Sequence, residues 1–250
     1  MSTANPITFF DLASTVGPFS PLTWRTRYVL NYKNIPYRTE WVGFADVETV
    51  LVSNGVPPTS ATKPKYTVPA IIDRKDGQGT AIVADSPLIA DYLESTYPAN
   101  TIYPDGSRDL QHKHVGVITA NVLRPIVPMV MAITATVFEG RDQDAFVTSR
   151  TQIFGQPLAD IYAPEKRDAL LAALYEGLDA LSAYIDENRL REGEWLFGGD
   201  RPAYADFALG AAFEWFTKVG PEGAWDKIKG RNERKWERIY EACQRYSEAQ

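Results

Sequence analysis

Three short segments carry residues whose types and spacing can do chemistry. Ser20 opens the run Ser20-Pro-Leu-Thr-Trp-Arg25, directly after Phe19 and where a helix should begin. A serine there has two readings. Its side-chain oxygen caps the helix, or its hydroxyl donates to an anion with the helix dipole behind it. Val68-Pro69 starts the apolar run Val68-Pro-Ala-Ile-Ile-Asp73. Proline is tolerated where an edge strand starts. A cis Val68–Pro69 bond would instead turn the main-chain N–H and C=O of Val68 outward, ready to pair with an extended, peptide-like ligand. Asp85-Ser86 stands before Pro87. Ser86 reads as a helix N-cap with Pro87 at the first helical position. Exposed N–H groups and the Ser86 hydroxyl then form a carboxylate site, and Asp85 is placed to meet an amino group. The pair suits an α-amino-acid end.

These residues need elements to hold them. Ile7-Thr-Phe-Phe-Asp-Leu12 reads as a strand, Pro21 to Lys33 as a helix, and Tyr37 to Val42 as a half-buried strand. A short helix over Phe44 to Val52 and an inserted Pro/Ser/Thr loop, Ser53 to Pro64, follow. Val68 to Asp73 and Thr80 to Val83 flank the glycines of Arg74 to Gly79 as a hairpin, and Ser86 to Tyr97 is a helix. The order β-α-β-α-β-β-α requires a mixed sheet with helices on both faces. After Pro98 to Ser107 the strand signals stop. Asp109 to Glu139 is a long apolar helix with a kink expected at Pro125 and Pro128. Glu165 to Asn188 puts Leu170, Leu174, Leu178, Leu181 and Ile185 on one stripe. Ala203 to Lys218 and Glu233 to Glu248 are further helices. The expected division is an α/β domain over 1–98, a linker over 99–108 and an all-α domain over 109–250.

Composition excludes several classes. The chain has 250 residues, 44% hydrophobic and 23% charged, which is ordinary globular usage. A net charge of −6 leaves no electrostatic footprint for nucleic acid. The basic stretch Lys227 to Arg245 is interleaved with acids, as a solvated helix face would be. The single cysteine, Cys243, provides no disulfide framework and points to a reducing, cytoplasmic setting. It reads as a packed thiol rather than a nucleophile. The start MSTANPITFF has no signal-peptide character, and no membrane span is expected. His112 and His114 point apart on a helix and make a poor metal pair, so no metal is expected. Gly77-Gln-Gly79 lacks the helix and lysine of a phosphate loop and reads as a turn. Aromatics make up 12%, beside 17 Pro. That richness serves large cores or a surface for flat apolar ligands.

The three segments, in this order and followed by an all-α half, resemble the glutathione transferase superfamily over nearly the whole chain. The resemblance implies a thioredoxin-like N-terminal domain and a helical C-terminal domain. Ser20-Pro-Leu-Thr-Trp-Arg25 is similar to the catalytic runs of the omega class (Cys-Pro-Phe-Ala-Glu-Arg) and the zeta class (Ser-Ser-Cys-Ser-Trp-Arg), with Ser20 at the catalytic position. Val68-Pro69 matches the Val–cis-Pro pair that holds the cysteinyl backbone of glutathione. Asp85-Ser86 matches the acid–serine pair for the γ-glutamyl end. The second-domain Ser/Thr-x-x-Asp box is half present: Asp206 supplies the acid, but Ala203 replaces the hydroxyl, at an expected cost of about 1 kcal/mol. Phe-Ser-Pro-x-x-Trp-Arg and the extended Gly43 to Lys65 segment resemble a narrower branch, the fungal FuA class and the bacterial lignin β-etherases.

The implied activity is activation of the glutathione thiol by Ser20 for conjugation to, or ether cleavage of, aromatic electrophiles, with peroxide reduction as a side activity. Glutathione is the co-substrate. A cysteine at position 20 would favour thiol transfer instead. Lys63 or Lys65 is the expected partner of the glycine carboxylate. Phe19, Ile126, Met129 and Ile133 are candidates for a hydrophobic acceptor site, with Trp215 beside them; the alternative is that they are ordinary core. The family forms homodimers. A ligand-binding protein that sequesters aromatic or polyphenolic compounds is the rival reading.

Overall fold

The structure, a computed structural model, describes residues 7–75, 79–188 and 193–248. The run Ile-Thr-Phe-Phe forms strand β1 (Ile7–Leu12), and its first five residues are buried whichever face they point to. That double burial follows from a central position. β1 pairs in parallel with β2 (Tyr37–Val42), from Ile7 opposite Tyr37 to Leu12 opposite Val42. On its other side it pairs antiparallel with β3 (Ala70–Lys75). The hairpin partner β4 (Gly79–Ala84) completes a mixed four-stranded sheet of order β2-β1-β3-β4. Gly77, in the hairpin turn, lies outside the described residues.

Helix α1 (Pro21–Tyr32) is the crossover that parallel β1 and β2 require. A 3₁₀ turn over Phe44–Asp46 and helix α2 (Val47–Ser53) follow β2, and α3 (Ser86–Thr96) follows β4. Val47 and Leu51 of α2 cover one sheet face together with Phe10, Val42 and Ile72. The other face joins α1 and α3 in a core that runs into the helical half.

That half begins with α4 (Arg108–Ile118) and α5 (Arg124–Thr134). The kink expected at Pro125 and Pro128 takes another form. The chain stays helical but widens into a π turn over Thr119–Leu123, one residue ahead of Pro125. Pro125 has no N–H to offer the Asn121 carbonyl four residues back, and a wider turn accommodates that loss. The Asn121 carbonyl lies against α8 (Arg167–Asn188) at Gly177, where an added Cβ would come within 1.9 Å of the oxygen. By length and composition the run Arg108–Val137 matches a membrane-crossing helix, with mean hydropathy 1.6 over its apolar 18-residue window. Here it packs against α8 and against α9 (Tyr204–Val219). Helices α6 (Gly140–Phe154), α7 (Leu158–Ile161), α10 (Ala224–Lys229) and α11 (Arg231–Gln244) complete it.

The leucine stripe on α8 is buried at Leu174, Leu178, Leu181 and Ile185, with Leu170 partly covered. At the start of α9 the missing hydroxyl of Ala203 is offset by Asp206. Its carboxylate accepts the N–H groups of Ala203 at 2.9 Å and Phe197 at 3.1 Å. Burial pushes this carboxyl up to about 7 against the pull of those bonds. The basic stretch behaves as a solvated face, with ion pairs Lys229–Asp226, Arg231–Asp179 and Lys235–Asp186.

Much of the aromatic content joins the two halves. Phe207 on α9 packs on Tyr28 and Tyr32 of α1 at ring separations of 5.7 and 5.6 Å. Beneath β1, Arg27 donates to Asp11 at 2.8 Å with both side chains fully buried. The guanidinium sits 5.0 Å from the ring of Phe9.

Candidate functional site

Ser20 holds the N-cap position of α1, with φ −63° and ψ 128°, but its side chain caps nothing. Its carbonyl begins the helix, accepting the Trp24 N–H at 3.0 Å and the Thr23 hydroxyl at 3.1 Å. The donors a cap would use here are the N–H groups of Leu22 and Thr23, and neither bonds the Ser20 hydroxyl. The half-buried hydroxyl therefore stands uncommitted on a cleft of about 330 Å³ that Lys65 and Val68 also line.

The Val68–Pro69 peptide is cis, as is Lys63–Pro64. The β3–β4 ladder, in which Ala70 faces Ala84, extends one step past the strands: the Asp85 N–H donates to the Pro69 carbonyl at 3.1 Å. This bond brings the Asp85-Ser86 pair to the end of the Val68-Pro69 segment. Ser86 is not the N-cap, contrary to the reading from residue type. Asp85 takes that place, with its carbonyl accepting the Ile89 N–H at 2.9 Å, and Ser86 is the first helical residue. The ladder bond sets where the chain turns, and it overrides the capping preference of serine. Asp85 adopts φ 82°, a left-handed conformation costly for a residue with a side chain. Its carboxyl is exposed, whereas Ser86 is 1% exposed and turned inward.

Behind Ser86 lies a buried polar group that residue spacing did not single out. Arg25 and Tyr204 are 4% and 0% exposed. The Arg25 Nε and Nη2 atoms have no partner among the described residues. Burial lowers the Arg25 pKa, and the nearby Tyr204 and Asp85 oppose that shift. Burial pushes Tyr204 up to about 12. The signal for Arg25 was present in the Trp-Arg end of the Ser20 run. Nothing in sequence pattern pointed to Tyr204.

The structure does not bring the expected acceptor residues to Ser20. Phe19, Ile126 and Met129 are 3%, 0% and 1% exposed and belong to the main core. Trp215 is likewise buried. Ile133 and the edge of Met129 line a different groove, with Tyr162, Leu171 and Pro221. The i, i+3, i+7 spacing of Ile126, Met129 and Ile133 thus serves packing of α5. Lys63 lines a neighbouring groove with Asp144 and Ser149. Phe44, Tyr66, Ser149 and Arg150 also line the Ser20 cleft. Arg150 projects from α6 over Phe146 and Phe44, its guanidinium carbon 5.0 and 5.4 Å from their ring centres.

The remaining titratable candidates are committed elsewhere. His112 bonds Asp91 at 3.0 Å, and His114 bonds the Tyr184 hydroxyl at 2.8 Å. Cys243 is fully buried, its thiol pushed well above the ordinary range by burial. Among the described residues no cluster of His, Cys, Asp and Glu could hold a metal ion.

Residues 19–96 match the family model of the glutathione S-transferase N-terminal domain, and residues 110–246 match that of the C-terminal domain. A curated relative, the glutathione S-transferase-like protein ustS of Aspergillus flavus, is 29% identical over 98% of this chain and 92% of its own. Among solved structures, glutathione transferase GSTFuA3 of Phanerochaete chrysosporium is 33% identical, with a TM-score of 0.88 over 99% of this chain and all of that one. The glutathione S-transferase CsGST63524 of Ceriporiopsis subvermispora, solved in complex with glutathione, is 28% identical, with a TM-score of 0.89 over 98% of this chain and 99% of its own. A thioredoxin-like half and a helical half, joined as here and matched along both, establish that the chain belongs to the glutathione S-transferase family.

Proposed function

We propose that this protein is a serine-type glutathione transferase that conjugates glutathione to aromatic electrophiles. The observation that carries the reading is the uncommitted Ser20 hydroxyl at the start of α1, facing a cleft shared with Val68 and Lys65. The glutathione complex of the Ceriporiopsis subvermispora relative supports the choice of thiol. In this reading the cysteinyl backbone pairs with Val68 beside cis-Pro69. The γ-glutamyl end meets Asp85 and the first N–H groups of α3. Lys65 takes the glycine carboxylate. Residues 1–98 hold glutathione, and Ser149 and Arg150 from 109–250 complete the cleft that receives the second reactant.

A free thiol with pKa about 8.5 is only a few per cent thiolate at neutral pH. Lowering it by about two units requires about 2.7 kcal/mol of preference for the anion. A Ser20 O–H donated to the sulfur, with the α1 dipole behind it, is of that order. The thiolate then attacks an electrophilic carbon, expelling a leaving group from an aryl halide or an aryl ether. Serine forms no disulfide, so thiol transfer is disfavoured.

The test is a thiolate absorbance titration of bound glutathione in the wild type and in Ser20→Ala. The variant is expected to return the thiol pKa towards about 8.5 and to lose about a hundredfold in conjugation at pH 6.5, with glutathione still bound. Wild-type turnover in Ser20→Ala refutes the assignment.

A further inference from the structure

The Ser20 cleft is lined by two cationic residues from separate elements, Lys65 and Arg150. Lys65 precedes Val68 by three residues, so it lies along the track of a tripeptide paired with Val68. Arg150 comes from α6. It is half-buried, and among the described residues no carboxylate forms an ion pair with it; its one polar contact is a long one, to the Ser149 hydroxyl at 3.5 Å. Glu48, which also lines the cleft, is exposed and unpaired with it. Phe44 and Phe146 lie beside the guanidinium and take no hydrogen bond from it, so the Ser149 hydroxyl is its one hydrogen-bond acceptor among the described residues. Burial disfavours the charge on Arg150, and among the described residues no anion offsets this. A guanidinium so placed is satisfied best by a planar anion that accepts two parallel hydrogen bonds, as a carboxylate does. The adjoining ring surfaces of Phe44 and Tyr66 favour an aromatic body on that anion.

We propose that Arg150 is the specificity-determining residue for the second reactant, and that it selects aromatic acceptors carrying a carboxylate. The proposal rests on the transferase reading for the nature of that reactant. Glutathione occupies the Val68 and Lys65 wall, the acceptor ring lies against Phe44, and its carboxylate takes the Arg150 fork.

Two unreactive probes of the same shape, 3-nitrobenzoate and its methyl ester, test this by equilibrium binding to the full chain, with and without saturating S-methylglutathione. The wild type should bind the benzoate at least about tenfold tighter than the ester. Arg150→Gln should abolish that preference by weakening the benzoate alone, and Arg150→Lys should keep part of it. The affinity for S-methylglutathione should change by less than about twofold in both variants. Equal weakening of the two probes would assign Arg150 to packing on Phe44 and Phe146 and overturn the proposal. Loss of S-methylglutathione binding with the probe preference intact would assign it to the tripeptide and do the same. A wild type that ignores S-methylglutathione but still prefers the benzoate would sink the transferase reading and leave the anion site standing. Far-ultraviolet circular dichroism of both variants excludes misfolding as the cause of a loss.

Discussion

The backbone N–H of Asp85 donates to the carbonyl of Pro69 across 3.1 Å, one step beyond the last residue pair of the β3–β4 ladder. Two segments about sixteen residues apart in the chain are thereby fixed side by side, with the Asp85 backbone at φ 82°.

That conformation suits glycine. Asp85→Gly should raise stability by about 1 kcal/mol, or roughly 2–4 °C in melting temperature. The same change removes the carboxylate proposed to meet the γ-glutamyl amino group, so the glutathione Kd should rise at least about tenfold. Thermal melts and glutathione titrations of one variant check both. A stability gain with unchanged affinity would remove Asp85 from the binding site.

Ser20→Cys should move the chemistry. A thiol at the start of α1 is lowered in pKa by the helix dipole and becomes a nucleophile. It attacks the glutathionyl sulfur of a mixed disulfide and expels the partner thiolate, and a second glutathione thiolate then releases it as glutathione disulfide. Reduction of hydroxyethyl disulfide should rise at least about tenfold over the wild type, while aryl halide conjugation falls. Paired assays at one pH measure the exchange.

His114 is buried, and that burial lowers its pKa to about 4. Its unfolded value is near 6.5. Between those values the unfolded chain binds a proton that the folded chain does not, so stability falls as pH drops. The contribution is complete above pH 6.5, and about 3 kcal/mol is lost by pH 4. Urea midpoints of the wild type and His114→Phe from pH 7.5 to 4 should diverge in slope over that window, with the variant flatter.

Gly177→Ala places a Cβ about where the Asn121 carbonyl oxygen lies, at a built separation of 1.9 Å. The oxygen belongs to a π turn clamped by Pro125 and cannot yield as a side-chain tip would. The expected loss is more than about 2 kcal/mol. Chemical unfolding measures it; a loss under about 0.5 kcal/mol would mean that α8 and the π turn slide apart freely.

Sequence reading succeeded where one local rule acts alone. The bounds of β1 and β2 follow the β-rich runs, and Pro21 marks the start of α1. It failed where a distant partner decides. Serine is the better cap by type, yet the Pro69 carbonyl selects Asp85. Helix α6 went unnoticed because Phe146 is its one buried residue, so it carries almost no apolar period. Ser149 and Arg150, which line the cleft, belong to that helix. The apolar stripe on α5 is genuine, but periodicity says only that a face is covered, and here the core covers it.

Cys243 closes the account of the site from outside it. Its sulfur lies in the contact between α11 and α9, so near Gly210 that a Cβ there would fall within 2.4 Å of it. A protein that gathers activated electrophiles beside a nucleophilic sulfur is exposed to alkylation of its own thiols. This chain has a single thiol to lose, and that thiol is held protonated and sealed from solvent. Under the proposed activity, self-inactivation by electrophiles or by oxidised glutathione has no foothold on that cysteine.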